Sequence, residues 1–360
     1  LDKLKIAIVG ATGVIGQQFV VALQDHPWFE ISTLAASKKS AGKKYLEAIK
    51  NPETGAVRWF CDNQPKQDLL EMNVEDATKL NLGNIDVIFS AVESKVAREL
   101  EPKYAKRKPV VSTASAFRYE KDVPILVPGV NSEHVKMIDV QRKKRGWKGF
   151  ITTQPNCTTT GLVITLKPLK DIFSLKKVIM TSMQAISGGG RSPGVAALDI
   201  IENVIPYIPE EEEKVQLETK KILGKYVGNK IEASKIKVSC TCTRVNVIDG
   251  HTEAVFASMG RDCTIEEVKK AFEKFGDDLK SLKLPSAPEK MIVVKDNPFR
   301  PQPRLDRNTY DGMATTVGRI RKDEALINGI KYVLLSHNTK MGAAKGAVFV
   351  TEYLKKAGYV

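Results

Sequence analysis

Apolar residues in the first third of the chain come in short, nearly unbroken runs that end in glycine or small polar residues. Residues 4–9 (LKIAIV) form such a run, which suits a strand buried on both faces. The run stops at a glycine-rich turn, helical spacing follows over 16–24, and 29–34 (FEISTL) reads as a second strand. Strand, turn, helix, strand is a βαβ unit. Residues 86–89 (DVIF) and 109–111 (PVV) read as later strands of the same sheet. The pattern predicts an all-parallel, doubly wound sheet over roughly the first 150 residues.

From residue 153 onward the texture changes. Residues 157–170 read as a helix, and 178–185, 236–247 and 252–258 as longer strands. Charged amphipathic helices are predicted over 210–223 and 264–276, and an alanine-rich helix over 342–357 that packs back on the first domain. Long strands with interspersed helices predict an α+β domain with a mostly antiparallel sheet.

Composition narrows the classes. With 360 residues, 42% hydrophobic and 27% charged, the chain suits a globular protein of two domains, not a disordered tail or a disulfide-stapled miniprotein. The net charge of +14 raises the question of nucleic acid. Residues 1–150 carry 24 basic against 18 acidic residues (+6), and 151–360 carry 32 against 24 (+8), so the surplus is spread thinly. That spread predicts small anionic ligands instead, and no nucleic-acid partner. No apolar run approaches the roughly 20 residues of a membrane span, so no membrane partner is expected. Five cysteines without framework spacing (Cys61, Cys157, Cys240, Cys242, Cys263) predict a reduced, cytoplasmic protein. The four histidines are widely separated, and no metal site is expected.

Three segments carry chemistry. Gly10-Ala-Thr-Gly13-Val-Ile-Gly16 lies between the first strand and helix, where glycines let a pyrophosphate approach backbone N–H groups. The second strand runs into Ala35-Ala36-Ser37-Lys38-Lys39-Ser40, with hydroxyls and cations but no carboxylate for a ribose 2′-OH, so NADP is expected rather than NAD. Cys157, in Gln154-Pro-Asn-Cys157-Thr-Thr-Thr-Gly161, precedes an apolar helix whose free N–H groups favour a thiolate. A thiol nucleophile beside a reduced nicotinamide predicts acyl or aldehyde chemistry. His251 ends the segment that starts at Arg244; the histidine is the expected acid/base, and the arginine fork suits a planar carboxylate. Cys240 and Cys242 alternate with threonines along a strand and read as packed core residues.

Together, Gly10 to Gly16, SAGK at 40–43, PNCTTTGL at 155–162, QAISG at 184–188, ETKKIL at 218–223, RVNVIDGHTE at 244–253, RPQPRLDR at 300–307 and HNT at 337–339 resemble the aspartate-β-semialdehyde dehydrogenase family, in its archaeal and fungal branch. The resemblance runs through nearly the whole chain. It implies an α/β fold: a Rossmann-type NADP-binding domain at 1–155, completed by 337–360, and a catalytic and dimerisation domain at 156–336. The implied reaction turns L-4-aspartyl phosphate and NADPH into aspartate semialdehyde, phosphate and NADP, on the route to lysine, threonine, methionine and isoleucine.

By the same resemblance Cys157 forms an acyl-thioester and His251 is the acid/base. Asn156 lies at the nucleophile turn and Gln184 orients the acyl group. Arg244 holds the substrate carboxylate and Glu218 its amino group, while Lys221 and Arg118 bind phosphate. The implied NADP contacts are Gly10, Thr12, Gly13, Val14, Ile15, Gly16, Ser37, Lys39, Ser40 and Ser90, with Ser187, Gly188 and Asn338 near the nicotinamide. A homodimer or homotetramer is implied. Four departures bear on the cofactor pocket: Thr113 in place of Asn, Gly189-Gly190 in place of Ala-Gly, Lys39 in place of Arg, and Lys345 in place of a small residue. Malonyl-CoA reductase and N-acetyl-glutamyl-phosphate reductase share the scaffold, and a non-catalytic NADP-binding regulator is the alternative of another class. Asn156 and the Glu218/Lys221 pair favour the aspartyl substrate, and a regulator predicts erosion at Cys157 or His251.

Overall fold

The computed structural model describes residues 2–189 and 197–360 and divides into two compact units. The first joins the chain up to Leu126 with His134–Gln154 and Ala344–Val360. Its sheet has six parallel strands: β1 (Leu4–Val9), β2 (Phe29–Ala36), β3 (Val74–Asp76), β4 (Val87–Ser90), β5 (Pro109–Ser112) and β6 (Phe150–Thr153). Their order is β3-β2-β1-β4-β5-β6, so the winding reverses between β1 and β4, as the doubly wound pattern requires. The apolar run of β1 feeds both faces. Ile6 and Ile8 pack with Phe19, Phe29, Phe89 and Val348, while Ala7 and Val9 pack with Ile88, Leu100, Val110 and Ile151. Each fully buried Phe or Ile contributes about 1.5–3 kcal/mol.

The C-terminal helix Ala344–Lys356 belongs to this unit and lies against helix Val14–Leu23. A buried pair, His26 Nε2 and Glu352 Oε1 at 2.8 Å, ties it to the loop before β2.

The second unit contains Val127–Glu133 and Pro155–Ala343. Its main sheet holds β7 (Lys177–Gln184), β8 (Val204–Ile205), β11 (Lys237–Val245), β12 (His251–Ser258), β13 (Ile292–Lys295), β14 (Thr315–Asp323) and β15 (Gly329–Ser336). A separate hairpin pairs β9 (Lys225–Val227) with β10 (Lys230–Glu232). The seven-strand order is β13-β14-β15-β12-β7-β11-β8, antiparallel except for β7/β11 and β13/β14. Helices Cys157–Phe173 and Glu211–Ile222 pack against each other; the first also meets β12 and β15, the second β11. Gly161 makes the approach of the first helix to β15 possible, because a Cβ there would meet the Ser336 Cβ at 2.7 Å.

The expected helices and strands stand within a few residues of their predicted bounds, but no strand was expected over 292–336, where the structure has three. The first four residues of β14 are all buried, so they show no alternation, and its register then shifts between Gly318 and Arg321. A strand of that kind carries little periodic signal.

Candidate active site

The register of the second sheet collects the chemistry. Arg244 of β11 pairs with Gln184 of β7, and His251 of β12 pairs with Ser336 of β15. One step before the Thr252–Met183 pair, His251 heads the same row as Gln184. Side chains alternate along each strand, so the next row on that face is Glu253, Ser182 and Cys242. All six of these residues are buried.

Cys157 is the first residue of its helix, and Asn156 is the N-cap. The Asn156 Oδ1 accepts from the N–H groups of Thr158 and Thr159 at 2.9 and 3.3 Å. Helix Glu211–Ile222 grips this turn through two carboxylates, seven positions apart on one face. Glu218 Oε2 accepts from the Asn156 backbone N–H at 2.6 Å, and Glu211 Oε1 from the Asn156 Nδ2 at 3.0 Å. The Cys157 Sγ lies 3.2 Å from His251 Nε2. Gly342 closes another side, since a Cβ there would meet the Cys157 Cβ at 3.0 Å.

His251 is wholly buried, and burial first, then the nearby Arg244 and His337, push its pKa down to about 3. Its ring is therefore neutral at physiological pH. Arg244 Nη1 donates to the Ala185 carbonyl at 2.8 Å. Among the described residues this nearly buried guanidinium has no acidic ion-pair partner, and burial lowers its pKa. A buried, unpaired arginine is costly unless an anion completes it. Gly188 leaves the room: a Cβ there would lie 2.9 Å from Arg244 Nη1 and 3.0 Å from His251 Cε1.

Ser187 and Asn338 also come together. Asn338 Nδ2 donates to Ser187 Oγ at 2.7 Å, its Oδ1 accepts from the Gly250 N–H at 2.8 Å, and Ser187 Oγ donates to Asp249 Oδ1 at 2.7 Å. This network fixes the turn that delivers His251. Gln184 Nε2 donates to Ser182 Oγ at 3.2 Å. Lys221 follows Glu218 on the same helix. Cys240 and Cys242 are buried in β11, whereas Cys157 is partly exposed.

Several contributors escaped the sequence reading: Glu211, Ala185, Asp249, Ser182 and Gly342. Glu211 stands in the run Glu210–Glu213, whose composition resembles a solvated helix start. Only the helix packing singles out Glu211.

The remaining expected residues lie in the first unit. Arg118 is buried, and its Nε and Nη2 donate to the carbonyls of Gln154 and Thr113 at 3.0 and 2.7 Å. Gly10, Thr12, Gly13, Val14, Ile15 and Gly16 join β1 to helix Val14–Leu23, and Ser90 ends β4 beside Val9. Gly10 and Gly16 serve close packing: a Cβ would meet Ala91 O at 2.4 Å and Gly10 O at 2.1 Å, respectively. Gly13 differs. It is the helix N-cap without a side-chain cap, and its Cβ would meet only Gly10 O, at 3.5 Å. That cradle of helix N–H groups fits a pyrophosphate.

Ser37, Lys39 and Ser40 form the turn after β2, with Ser40 N–H donating to Ser37 O at 2.9 Å. The structure adds a carboxylate there that the local sequence does not show. Asp76 of β3 pairs with Ala36, but its Oδ1 accepts from both the N–H and the hydroxyl of Thr78 at 2.8 Å. Those bonds first, and Lys38 and Lys79 more weakly, hold its pKa below the usual range. Thr113 donates through Oγ1 to Ser90 O at 3.1 Å, Lys345 is the second residue of the C-terminal helix, and Gly190 lies outside the described residues. Among the described residues no group of three or more His, Cys, Asp or Glu side chains could hold a metal, and no helix is long and apolar enough to cross a membrane.

The chain is similar to known proteins in sequence and in fold. Residues 5–138 match the family described as semialdehyde dehydrogenase, NAD binding domain, and residues 166–341 the semialdehyde dehydrogenase, dimerisation domain. The aspartate-semialdehyde dehydrogenase of Archaeoglobus fulgidus is 48% identical over 355 residues, covering 98% of each chain. That of Candida albicans is 42% identical over 366 residues, again 98% of each. A crystal structure of the Candida albicans enzyme with NADP matches with a TM-score of 0.88 at 38% identity, covering 100% of both chains. The aspartate semialdehyde dehydrogenase II of Vibrio cholerae, 23% identical with a TM-score of 0.78, shares the fold.

Proposed function

The chain belongs to the aspartate-semialdehyde dehydrogenase family, and on that footing we propose that it carries out NADPH-dependent reductive dephosphorylation of L-4-aspartyl phosphate to L-aspartate 4-semialdehyde, a step of amino-acid biosynthesis. The observation that carries this reading is the 3.2 Å contact between Cys157 Sγ and His251 Nε2, beside a buried Arg244 that has no acidic ion-pair partner among the described residues.

The Cys157 sulfur attacks the acyl phosphate carbonyl and forms a thioester, with the thiol placed where helix N–H groups favour negative charge. His251 handles the proton at that sulfur through Nε2. Gln184, its Nε2 donating to Ser182 Oγ, orients the acyl group. Arg244 takes the substrate carboxylate and Glu218 its ammonium group, Glu218 having one oxygen engaged by Asn156. Lys221 and Arg118 bind the phosphate.

NADPH, when bound, supplies the reducing equivalents for the thioester carbon. Gly10, Thr12, Gly13, Val14, Ile15 and Gly16 would hold its pyrophosphate, Ser37, Lys39 and Ser40 its 2′-phosphate, and Ser90, Ser187, Gly188 and Asn338 the rest. The hydroxyls and cation of Ser37, Lys39 and Ser40 in the turn after β2 support NADP over NAD. The match to a dimerisation domain supports a homodimer or a homotetramer built from it, and five cysteines without a disulfide support the reducing cytoplasm as its place of work.

The test is reduction of NADP with aspartate semialdehyde, with and without inorganic phosphate, run beside malonyl-CoA with NADPH. Phosphate-dependent reduction with the semialdehyde is the expected result. Turnover with malonyl-CoA alone overturns the substrate.

A further inference from the structure

The glycine-rich turn after β1 has four consecutive carbonyls, and each is engaged inside the first unit. Gly10 O accepts from the Gly13 N–H at 3.1 Å, and Gly13 O from the Gln17 N–H at 2.9 Å. The two between them are held by side chains. Ala11 O accepts from the Tyr45 hydroxyl at 2.8 Å, and Thr12 O from Gln17 Nε2 at 3.3 Å. Tyr45 and Gln17 are both wholly buried.

Neither side chain can turn away without loss. Gln17 Nε2 also donates to Arg58 O at 2.8 Å, while its Oε1 accepts from the Phe60 N–H at 2.9 Å. Tyr45 ends the segment that carries Ser37, Lys39 and Ser40. That segment is pinned along β3: the Gly42 N–H donates to Val74 O at 2.8 Å, the Val74 N–H to Lys43 O at 2.9 Å, and the Tyr45 N–H to Met72 O at 2.8 Å. Burial first, then the neighbouring Cys61, push the Tyr45 pKa up, so the phenol keeps the proton it donates.

The direction of these bonds matters because a trans peptide points its C=O and N–H to opposite sides. With the Ala11 carbonyl drawn to Tyr45 in the core, the N–H of the same peptide unit, that of Thr12, faces the other way. It joins the N–H groups of Val14, Ile15 and Gly16, which lie ahead of the first bond within the helix, from Gln17 to Gly13. Burial follows the same division: Ala11 is buried, Thr12 half-buried and Gly13 exposed. A carbonyl turned outward here would set its partial negative charge against an anion.

We propose that Tyr45 and Gln17 are positioning residues for the dinucleotide, holding the Ala11 and Thr12 carbonyls inward so that the turn presents N–H groups and no carbonyl to the pyrophosphate. Both act through the backbone. The proposal rests on the reading of this turn as a pyrophosphate site and deepens it. One segment then serves two phosphates: Ser37, Lys39 and Ser40 meet the 2′-phosphate, and Tyr45 aims the turn that meets the pyrophosphate.

Calorimetric titration of the full chain with NADP tests it, beside NMR titration with adenosine 2′-phosphate, which has the 2′-phosphate but no pyrophosphate. Tyr45→Phe keeps the ring in the core and removes the bond to Ala11, and Gln17→Met removes the bond to Thr12. Each is expected to raise the Kd for NADP about fivefold or more, with affinity for adenosine 2′-phosphate within about twofold of wild type. Ile49→Val loosens the core that holds Tyr45 without touching the turn, and is expected to leave the Kd for NADP within about twofold.

An unchanged Kd in either of the first two variants overturns the proposal. So does an equal loss for adenosine 2′-phosphate, or an equal loss in Ile49→Val, because each would make Tyr45 a general prop of the fold. Wild-type protein that binds no NADP sinks the cofactor reading and this proposal with it. Wild-type binding that the variants leave intact sinks the proposal alone.

Discussion

Glu211 accepts a hydrogen bond from the Asn156 side-chain amide at 3.0 Å, and that bond sets which end of the amide faces the helix. With Nδ2 taken by Glu211, Oδ1 is left to cap Thr158 and Thr159, and Cys157 is held between them and the strand end. Asn156→Ala removes the cap and strands a buried carboxylate. It is expected to cost about 1–3 kcal/mol in urea unfolding and to lower kcat, whereas Asn156→Asp places like charges together and is expected to be worse. An Asp variant as stable as wild type would show that the Glu211 contact does not orient the cap.

Replacing the proposed nucleophile separates chemistry from binding. Cys157→Ala is expected to abolish phosphate-dependent NADP reduction while NADP affinity, read by calorimetric titration, stays within about twofold. Residual turnover above background would remove the thioester mechanism.

Arg244→Lys keeps a positive charge but loses the fork, and with it either the Ala185 carbonyl or the substrate carboxylate. KM for aspartate semialdehyde is expected to rise about tenfold or more. Steady-state kinetics with KM and kcat both unchanged would refute the assignment.

Gly188→Ala tests whether the space beside the arginine is used. The added methyl would sit within about 3 Å of Arg244 and His251, so kcat/KM is expected to fall sharply while the thermal midpoint moves little. Full activity in this variant would mean that substrate does not enter there.

Glu101 gives a pH test in the first unit. Burial raises its pKa from 4.5 to about 7, with Ser112 donating to its Oε1 at 2.5 Å. The folded state thus keeps a proton that the unfolded chain releases above about 4.5. Stability is undiminished below that pH, falls as pH rises toward about 7, and then levels, a loss of at most about 3 kcal/mol. Glu101→Gln never pays this penalty, so its urea-unfolding free energy is expected to exceed wild type at about pH 8 and to match it near pH 4.5. An equal difference at both pH values would show that Glu101 is not the group titrating.

Much of the site was legible in advance because its parts are local. Cys157 at a polar turn before an apolar helix, the glycine turn after β1, and Arg244 and His251 in one segment each carry their signal within a few residues. Glu218 was legible only through resemblance, because a buried glutamate and a solvated one look alike in a charged helix. Asp76 shows the opposite limit: its place beside the end of β2 depends on β3, which enters some 40 residues later in the chain.

The order of residues by itself determined the two sheet types and singled out the proposed nucleophile, its histidine and the glycine-rich loop, because these follow from short-range periodicity, turn chemistry and charge. Tertiary structure alone decided that Arg244, Gln184 and His251 stand in one row, and that the Tyr45 hydroxyl reaches the Ala11 carbonyl. It alone decided that two glutamates grip the nucleophile turn. Strand register and helix packing join residues far apart in sequence, and no local pattern encodes which side chain will end up facing which backbone carbonyl.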